Sequence, residues 1–171
     1  MPDDRELSDS DRCYGAAMLI LKFRWNGRAE LRRKLVRKSF EPAAIDATLD
    51  RLTREGWLND ERFAAAFVRD RARKRIGGRR IVAELRSTGL GDEEARRAVE
   101  ENVDKESEER ELLALCRKKM RILVGRKGDD YVASAEGRNK LLVYLLSHGY
   151  DMAASRDAVG ECIKEAAKGD E

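Results

Sequence analysis

The sequence predicts an all-α protein of three tandem three-helix repeats in an elongated, curved array, and three observations carry that prediction. Charged residues make up 40% of the 171 positions and aromatics only 6%, with two prolines, a composition that suits many short helices with thin apolar stripes. Apolar residues recur at helical spacing along the chain. One pattern occurs three times: Leu31, Leu35, Ser39, Phe40, Ile45 and Leu49 return as Ile81, Leu85, Gly89, Leu90, Ala95 and Val99, and again as Leu141, Leu145, Gly149, Tyr150, Ser155 and Val159. A fixed pattern of this kind is the signature of a repeat architecture.

The repeats are assigned to 12–58, 59–104 and 105–167, with an insertion near 125–137 read as a flexible loop. Tails at 1–11 and 168–171 are expected to lack order. Each repeat opens on a longer helix: Tyr14, Ala17, Met18, Leu21 and Trp25 in the first, Phe63, Phe67 and Val68 in the second, Leu112, Leu113, Cys116 and Met120 in the third. Asn26-Gly27 and Gly77-Gly78 break the chain before the second helix.

The second helix of each repeat should end in a left-handed residue, at Ser39, Gly89 and Gly149. The following residue should then fold back on the last turn, pairing Phe40 with Leu35, Leu90 with Leu85 and Tyr150 with Leu145. Glycine takes that conformation without steric cost, whereas Ser39 accepts a penalty. The third helix follows at once. Pro42 suits its first position, and Asp92, Glu93, Glu94 and Asp151 favour its positive N-terminal dipole. Gly56 ends the first of these helices, and Trp57 and Leu58 are expected to fill the first junction between repeats.

The same sequence excludes several functions. No apolar run is long enough to span a bilayer, and no signal-like N-terminus is present, so a cytoplasmic location without membrane contact is expected. Cys13, Cys116 and Cys162 form no CxxC pair and the chain has one histidine, so reduced helix-face thiols are expected and no metal. His148, at a helix C-terminus, should meet backbone carbonyls. Gly77-Gly78-Arg79 lacks the spacing of a phosphate loop. Neither a catalytic residue nor a cofactor is expected, and the chain is read as a non-enzyme.

Net charge is only +3, but charge is segregated. Arg69–Arg80 holds seven bases against one acid, Arg117–Lys127 six against none, and Glu100–Glu111 seven acids against two bases. The candidate partner or nucleic-acid contacts are therefore Arg71, Arg73, Lys74, Arg75, Arg79 and Arg80, followed by Lys118, Lys119, Arg121, Arg126 and Lys127. The first group is favoured because no acids compensate it nearby in sequence. Arg32, Arg33, Arg37 and Lys38 read as a solvated helix face. No aromatics interleave the clusters, so stacking on single-stranded bases gains no support.

Three segments carry a resemblance: Arg28-Ala29-Glu30-Leu31-Arg32-Arg33-Lys34-Leu35, Gly56-Trp57-Leu58-Asn59-Asp60-Glu61-Arg62-Phe63-Ala64, and Gly77 through Ile81-Val82-Ala83-Glu84-Leu85 to Gly89-Leu90. With them, from Tyr14 to Ile163, the chain resembles the RecX family of regulatory proteins. It departs from the family pattern at Asn26-Gly27, where serine is usual, and at Ser39, where glycine is usual. The resemblance implies a monomeric modulator that binds the RecA recombinase filament on single-stranded DNA. It also implies restraint of ATPase, strand exchange and co-protease activities, with DNA, single- or double-stranded, as a further partner.

Two readings of other classes stand beside it. A helix-turn-helix DNA reader would need an exposed recognition helix, whereas the third helices here carry Asp46, Asp50, Asp92, Glu93, Glu94, Asp157 and Glu161. A helical scaffold for another protein is the second.

Overall fold

The computed structural model describes residues 8–168. They form helices α1 (Asp9–Phe23), α2 (Arg28–Arg37), α3 (Pro42–Arg54), α4 (Asp60–Arg73), α5 (Gly78–Thr88), α6 (Asp92–Asn102), α7 (Lys105–Lys127), α8 (Asp129–Ala133), α9 (Ala135–Ser147) and α10 (Met152–Lys168), with no strand among the described residues. Residues 1–7 and 169–171, which include most of both expected tails, lie outside the described residues.

Helix α1 begins within the segment 1–11 expected to lack order. Ser8 caps α1, its Oγ accepting from the Asp11 amide at 3.1 Å, and Asp9 and Asp11 in the first turn complement the helix dipole. The helix stops at Phe23, because Arg24 is fully extended. Trp25 therefore leaves the apolar stripe assigned to it and stands 48% exposed. Asn26 fixes the turn from inside. It is buried, donates from Nδ2 to the Arg24 carbonyl at 2.7 Å and accepts from Lys34 Nζ at 2.6 Å, so its polar atoms escape the cost of unpaired burial.

The described residues divide into two compact units, one made of residues 8–67 with 85–98, the other of 68–84 with 99–168. In the first, Cys13, Ala17, Leu31, Leu35, Ile45, Leu49, Leu52 and Leu58 form the core. These positions follow the helical periodicity of α1, α2 and α3. In the second, α7, α9 and α10 enclose a core that includes Leu112, Cys116, Leu123, Leu141, Leu145, Tyr150 and Cys162.

Left-handed residues close the second helices as the sequence predicts, with φ of 61° at Ser39, 100° at Gly89 and 89° at Gly149. The Phe40 and Tyr150 amides fold back to the carbonyls of Leu35 and Leu145 at 3.5 and 3.4 Å. The structure adds why two of the three are glycine. In the first unit the C-terminal end of α5 docks on α2: a Cβ at Gly89 would stand 2.5 Å from the Ala29 Cβ. In the second, the C-terminal end of α9 docks on the start of α5: a Cβ at Gly149 would overlap the Arg80 Cβ. There the Gly77 amide donates to the His148 carbonyl at 2.9 Å and the Arg79 amide to the Gly149 carbonyl at 3.1 Å. Ser39 is exposed, so it bears only the conformational penalty.

Two further expectations are corrected. The insertion near 125–137 is helical rather than a flexible loop. α7 continues to Lys127, Gly128 turns the chain with φ 84°, and Ser134 caps α9 by accepting from the Gly137 amide at 3.2 Å. The reason it holds together is burial: Val132 of α8 joins the second core, and Gly137 lies so close to α8 that a Cβ would come 2.7 Å from Val132 Cα. Trp57 does not fill a junction. Leu58 is buried, but Trp57 is 51% exposed and lines a shallow groove with Gly15, Met18, Leu19 and Lys22 of α1.

Candidate partner-binding surface

All eleven cations singled out in the sequence fall in the second unit. The first group is organised by the end of α4. Lys74 and Arg75 follow its last turn, and the Ile76 amide returns to the Arg71 carbonyl at 3.2 Å, which places Arg75 in the left-handed region at φ 58°. A side chain held there costs about 1–2 kcal/mol. Two contacts hold it: its carbonyl accepts the Tyr150 hydroxyl at 3.3 Å, and its guanidinium meets Glu111 at 2.6 Å. Arg75 is therefore a cap residue as well as a cation, which sequence reasoning missed because arginine is a poor signal for that conformation.

Acidic compensation comes from within one helical turn, at Asp70 and Glu84, and through the fold, at Glu111. Arg71 is half-buried between Glu84 at 2.6 Å and Asp70 at 2.7 Å. Arg80 reaches Glu84 at 3.0 Å, and Lys74 reaches Asp70 at 2.8 Å. Burial works to raise the Glu84 carboxyl, but hydrogen bonds from Arg71 and Arg80 outweigh it and hold the group below its ordinary value. The expectation that this group lacks nearby acids is thus corrected. Within the group, Arg73 and Arg79 are exposed and neither has a carboxylate within 4.0 Å among the described residues; Asp151, held below its ordinary value chiefly by the Ala153 and Ala154 amides, also feels the Arg79 charge. Arg73 donates to the Arg69 carbonyl at 3.3 Å.

Arg73 and Arg75 border a cavity of about 430 Å³. Arg69, Glu108, Glu111, Ile76 and Val103 line it with them. Glu108 also accepts the Gly78 amide at 2.9 Å, which satisfies a donor at the start of α5. Tyr150 closes the cavity, its hydroxyl pushed up to about 12 by burial and then by Glu108 and Glu111. The arrangement is amphoteric, with arginines and glutamates on one lining.

The second group rides on α7. At 1.5 Å per residue, Lys118 to Lys127 lie roughly 10–24 Å along the axis from Glu111, where the first group meets this helix. The two are separate clusters on one unit. Lys118, Arg121 and Arg126 are exposed, whereas Lys119 sits over the Tyr144 ring at 4.7 Å and Lys127 over the Tyr131 ring at 4.3 Å. The last two are engaged in cation–π contacts. Arg33, expected to be solvated, is instead structural, since its guanidinium donates to the Thr88 carbonyl at 2.7 Å and satisfies the exposed end of α5. Arg32 pairs with Asp46.

Other expectations have definite outcomes. All three cysteines are buried and free. His148 Nδ1 lies 2.8 Å from the Tyr144 carbonyl, an acceptor only, so Nδ1 carries the proton. No helix among the described residues is long and apolar enough to cross a membrane.

Comparison with known proteins follows the same elements. The profile of the RecX first three-helix domain matches residues 13–52, and that of the RecX second three-helix domain matches residues 59–99. A regulatory protein RecX from Xanthomonas oryzae pv. oryzae is 49% identical over 77 residues, 45% of this chain and 48% of that protein, so this match spans about half of the relative's length. Longer alignments exist. A regulatory protein RecX from Chlorobium phaeobacteroides is 30% identical over 92% of this chain and 97% of its own, and one from Amycolatopsis mediterranei is 31% identical over 96% and 88%. The crystal structure of RecX from Lactobacillus salivarius superposes with a TM-score of 0.76 over 90% of this chain and 96% of that one, at 23% identity, a likeness of fold.

Proposed function

This chain belongs to the RecX family of regulatory proteins, and on that premise we propose that it binds the RecA recombinase filament on single-stranded DNA and restrains its ATPase, strand exchange and co-protease activities. The observation that carries the reading is the full-length relationship to two regulatory RecX proteins at 30% and 31% identity. The surface chemistry supports it. Arg73, Arg79, Lys118, Arg121 and Arg126 offer exposed cations to meet phosphate or carboxylate. The protein acts as a cytoplasmic monomer, with DNA as a secondary partner held through those cations.

A groove-inserting helix-turn-helix reader fits less well. The third helix of the second repeat, α6, opens on Asp92, Glu93 and Glu94, charges that repel a phosphate backbone.

The test is the ATPase rate of RecA on single-stranded DNA, titrated with this protein below stoichiometry at two salt concentrations. Inhibition at low ratios supports a filament modulator. An unchanged rate with folded protein removes the RecA reading for this chain.

A further inference from the structure

A second surface of the same unit differs in chemistry from the arginine cluster. Between α9 and α10 lies a groove of about 430 Å³. Leu142, Val159 and Ile163 line it with Gly160, and Arg138, Arg156 and Lys164 stand at its rim. The three cations are exposed. Arg138 donates to the Ala133 carbonyl at 3.0 Å, and none of the three has a carboxylate within 4.0 Å among the described residues, in contrast to Arg71, Lys74, Arg75 and Arg80. Nearby acids are turned elsewhere: Glu165 is bound to Arg117 at 2.7 Å, and Glu136 to Lys140 and the Tyr131 hydroxyl. Asp157 and Glu161 do not line the groove.

Gly160 is the informative residue. It stands inside α10, where glycine costs about 1 kcal/mol relative to alanine, and a Cβ there would meet nothing within 4 Å. No packing neighbour demands its smallness. The absent side chain instead leaves the groove open over Val159 and Ile163.

We propose that the α9–α10 groove docks an acidic amphipathic helix of a partner protein. An apolar side chain of that helix seats over Gly160 against Leu142, Val159 and Ile163, and flanking carboxylates meet Arg138, Arg156 and Lys164. Charge complementarity selects the partner: three cations without a counter-charge surround an apolar floor. A nucleic acid answers only half of this chemistry. Phosphates satisfy the cations but leave the hydrocarbon floor wet, and no aromatic side chain lines the groove to stack a base. A helix with apolar residues at i, i+4 and i+7 and acids between them satisfies both. The inference stands apart from the RecA reading and is tested without RecA.

The probe is a fluorescein-labelled synthetic peptide of about fourteen residues, roughly four turns, with leucines at i, i+4 and i+7 and glutamates between them. It is titrated with the full chain and followed by anisotropy. The expected result is saturable binding that weakens on the order of tenfold when the glutamates become glutamines, and by a similar factor in the double variant Arg156→Glu, Lys164→Glu. Gly160→Leu fills the groove and abolishes binding, while its melting temperature is equal to or above that of the parent, because leucine is the better helix former. That pairing separates a blocked groove from an unfolded protein. Failure of the acidic peptide to bind, equal binding of the glutamine peptide, undiminished binding by Gly160→Leu, or displacement of the peptide by an oligodeoxynucleotide at equal concentration each overturns the proposal.

Discussion

Gly149 rests directly on Arg80: a Cβ on the glycine would overlap the Cβ of the arginine and come 2.8 Å from its backbone nitrogen. Two costs therefore fall on Gly149→Ala. The left-handed backbone disfavours any L side chain by about 1–2 kcal/mol, and overpacking adds about 1–3 kcal/mol. The midpoint of thermal unfolding should fall by roughly 5–15 °C for a chain of this length. An unchanged midpoint would remove the close approach of α9 to α5.

Ser39 provides the opposite sign at the equivalent turn. Its φ is 61°, yet it is exposed, so only conformational strain is at stake. Ser39→Gly relieves that strain, offset in part by the greater freedom of glycine in the unfolded chain. A net gain of up to about 1 kcal/mol is expected, read as a higher midpoint in denaturant with an unchanged slope. A loss of stability would mean that the serine makes a contact worth more than its strain.

The turns and cores were legible because local rules determine them. The periodic leucines and the left-handed positions at 39, 89 and 149 follow from helix geometry, and Leu31, Leu35, Ile81, Leu85, Leu141 and Leu145 are all fully buried. The binding surface was legible only in outline. Segregated charge marked Arg71 to Arg80, and Asp70 and Glu84 stand within one helical turn of Lys74 and Arg80, but Glu111 lies 36 positions beyond Arg75 in the chain. No local window could reveal that pairing. The α9–α10 groove was invisible for the same reason, since Arg138 and Arg156 stand on different helices. The α8 segment was missed because the glycines around it, Gly125, Gly128 and Gly137, suggested a loop, whereas Val132 and the Ser134 cap decide for helix.

The polar cluster of the first turn gives a pH prediction. Burial works to raise the Glu30 carboxyl, but hydrogen bonds from Arg24 and Lys34 hold it below its ordinary value of 4.5. A carboxyl depressed in the folded state contributes stability above its unfolded value, and that contribution is lost as pH falls through the folded value. Glu30→Gln should thus destabilise at pH 7, by about 1 kcal/mol once solvent screening is allowed for. The gap between the two proteins should close as pH falls below about 4.5. A gap that persists in acid would assign the effect to packing rather than charge.

The thiols should be unreactive because they are out of reach. Cys13, Cys116 and Cys162 are fully buried; the contact between Cys116 and Cys162 raises the first thiol and lowers the second, so burial rather than protonation shields the pair. Reaction requires a thiolate that the reagent can reach. In native protein a disulfide reagent should therefore modify the three cysteines only as fast as the chain opens, and all three at once in denaturant. Rapid modification of one thiol in the native state would place it at the surface.

The ion pairs around Glu84 set up a test of which cations matter. Arg73 and Arg79 have no carboxylate within 4.0 Å among the described residues, whereas Arg71 and Arg80 share Glu84. If phosphates are met by this surface, the free pair contributes most, and Arg73→Glu with Arg79→Glu should weaken inhibition of the RecA ATPase and flatten its salt dependence. For direct DNA contact the slope of log affinity against log salt should drop by about 2. Glu84→Gln should act in the opposite direction, releasing Arg80 for a phosphate and steepening the slope, while Arg71 keeps its pair with Asp70. It also gives up a carboxyl held below its ordinary value, so its stability deficit appears at neutral pH and fades in acid. Opposite shifts in the two variants, with helical content unchanged by circular dichroism, identify the α4–α5 turn as the contact. Identical salt slopes in all three proteins would move the contact to the cations of α7.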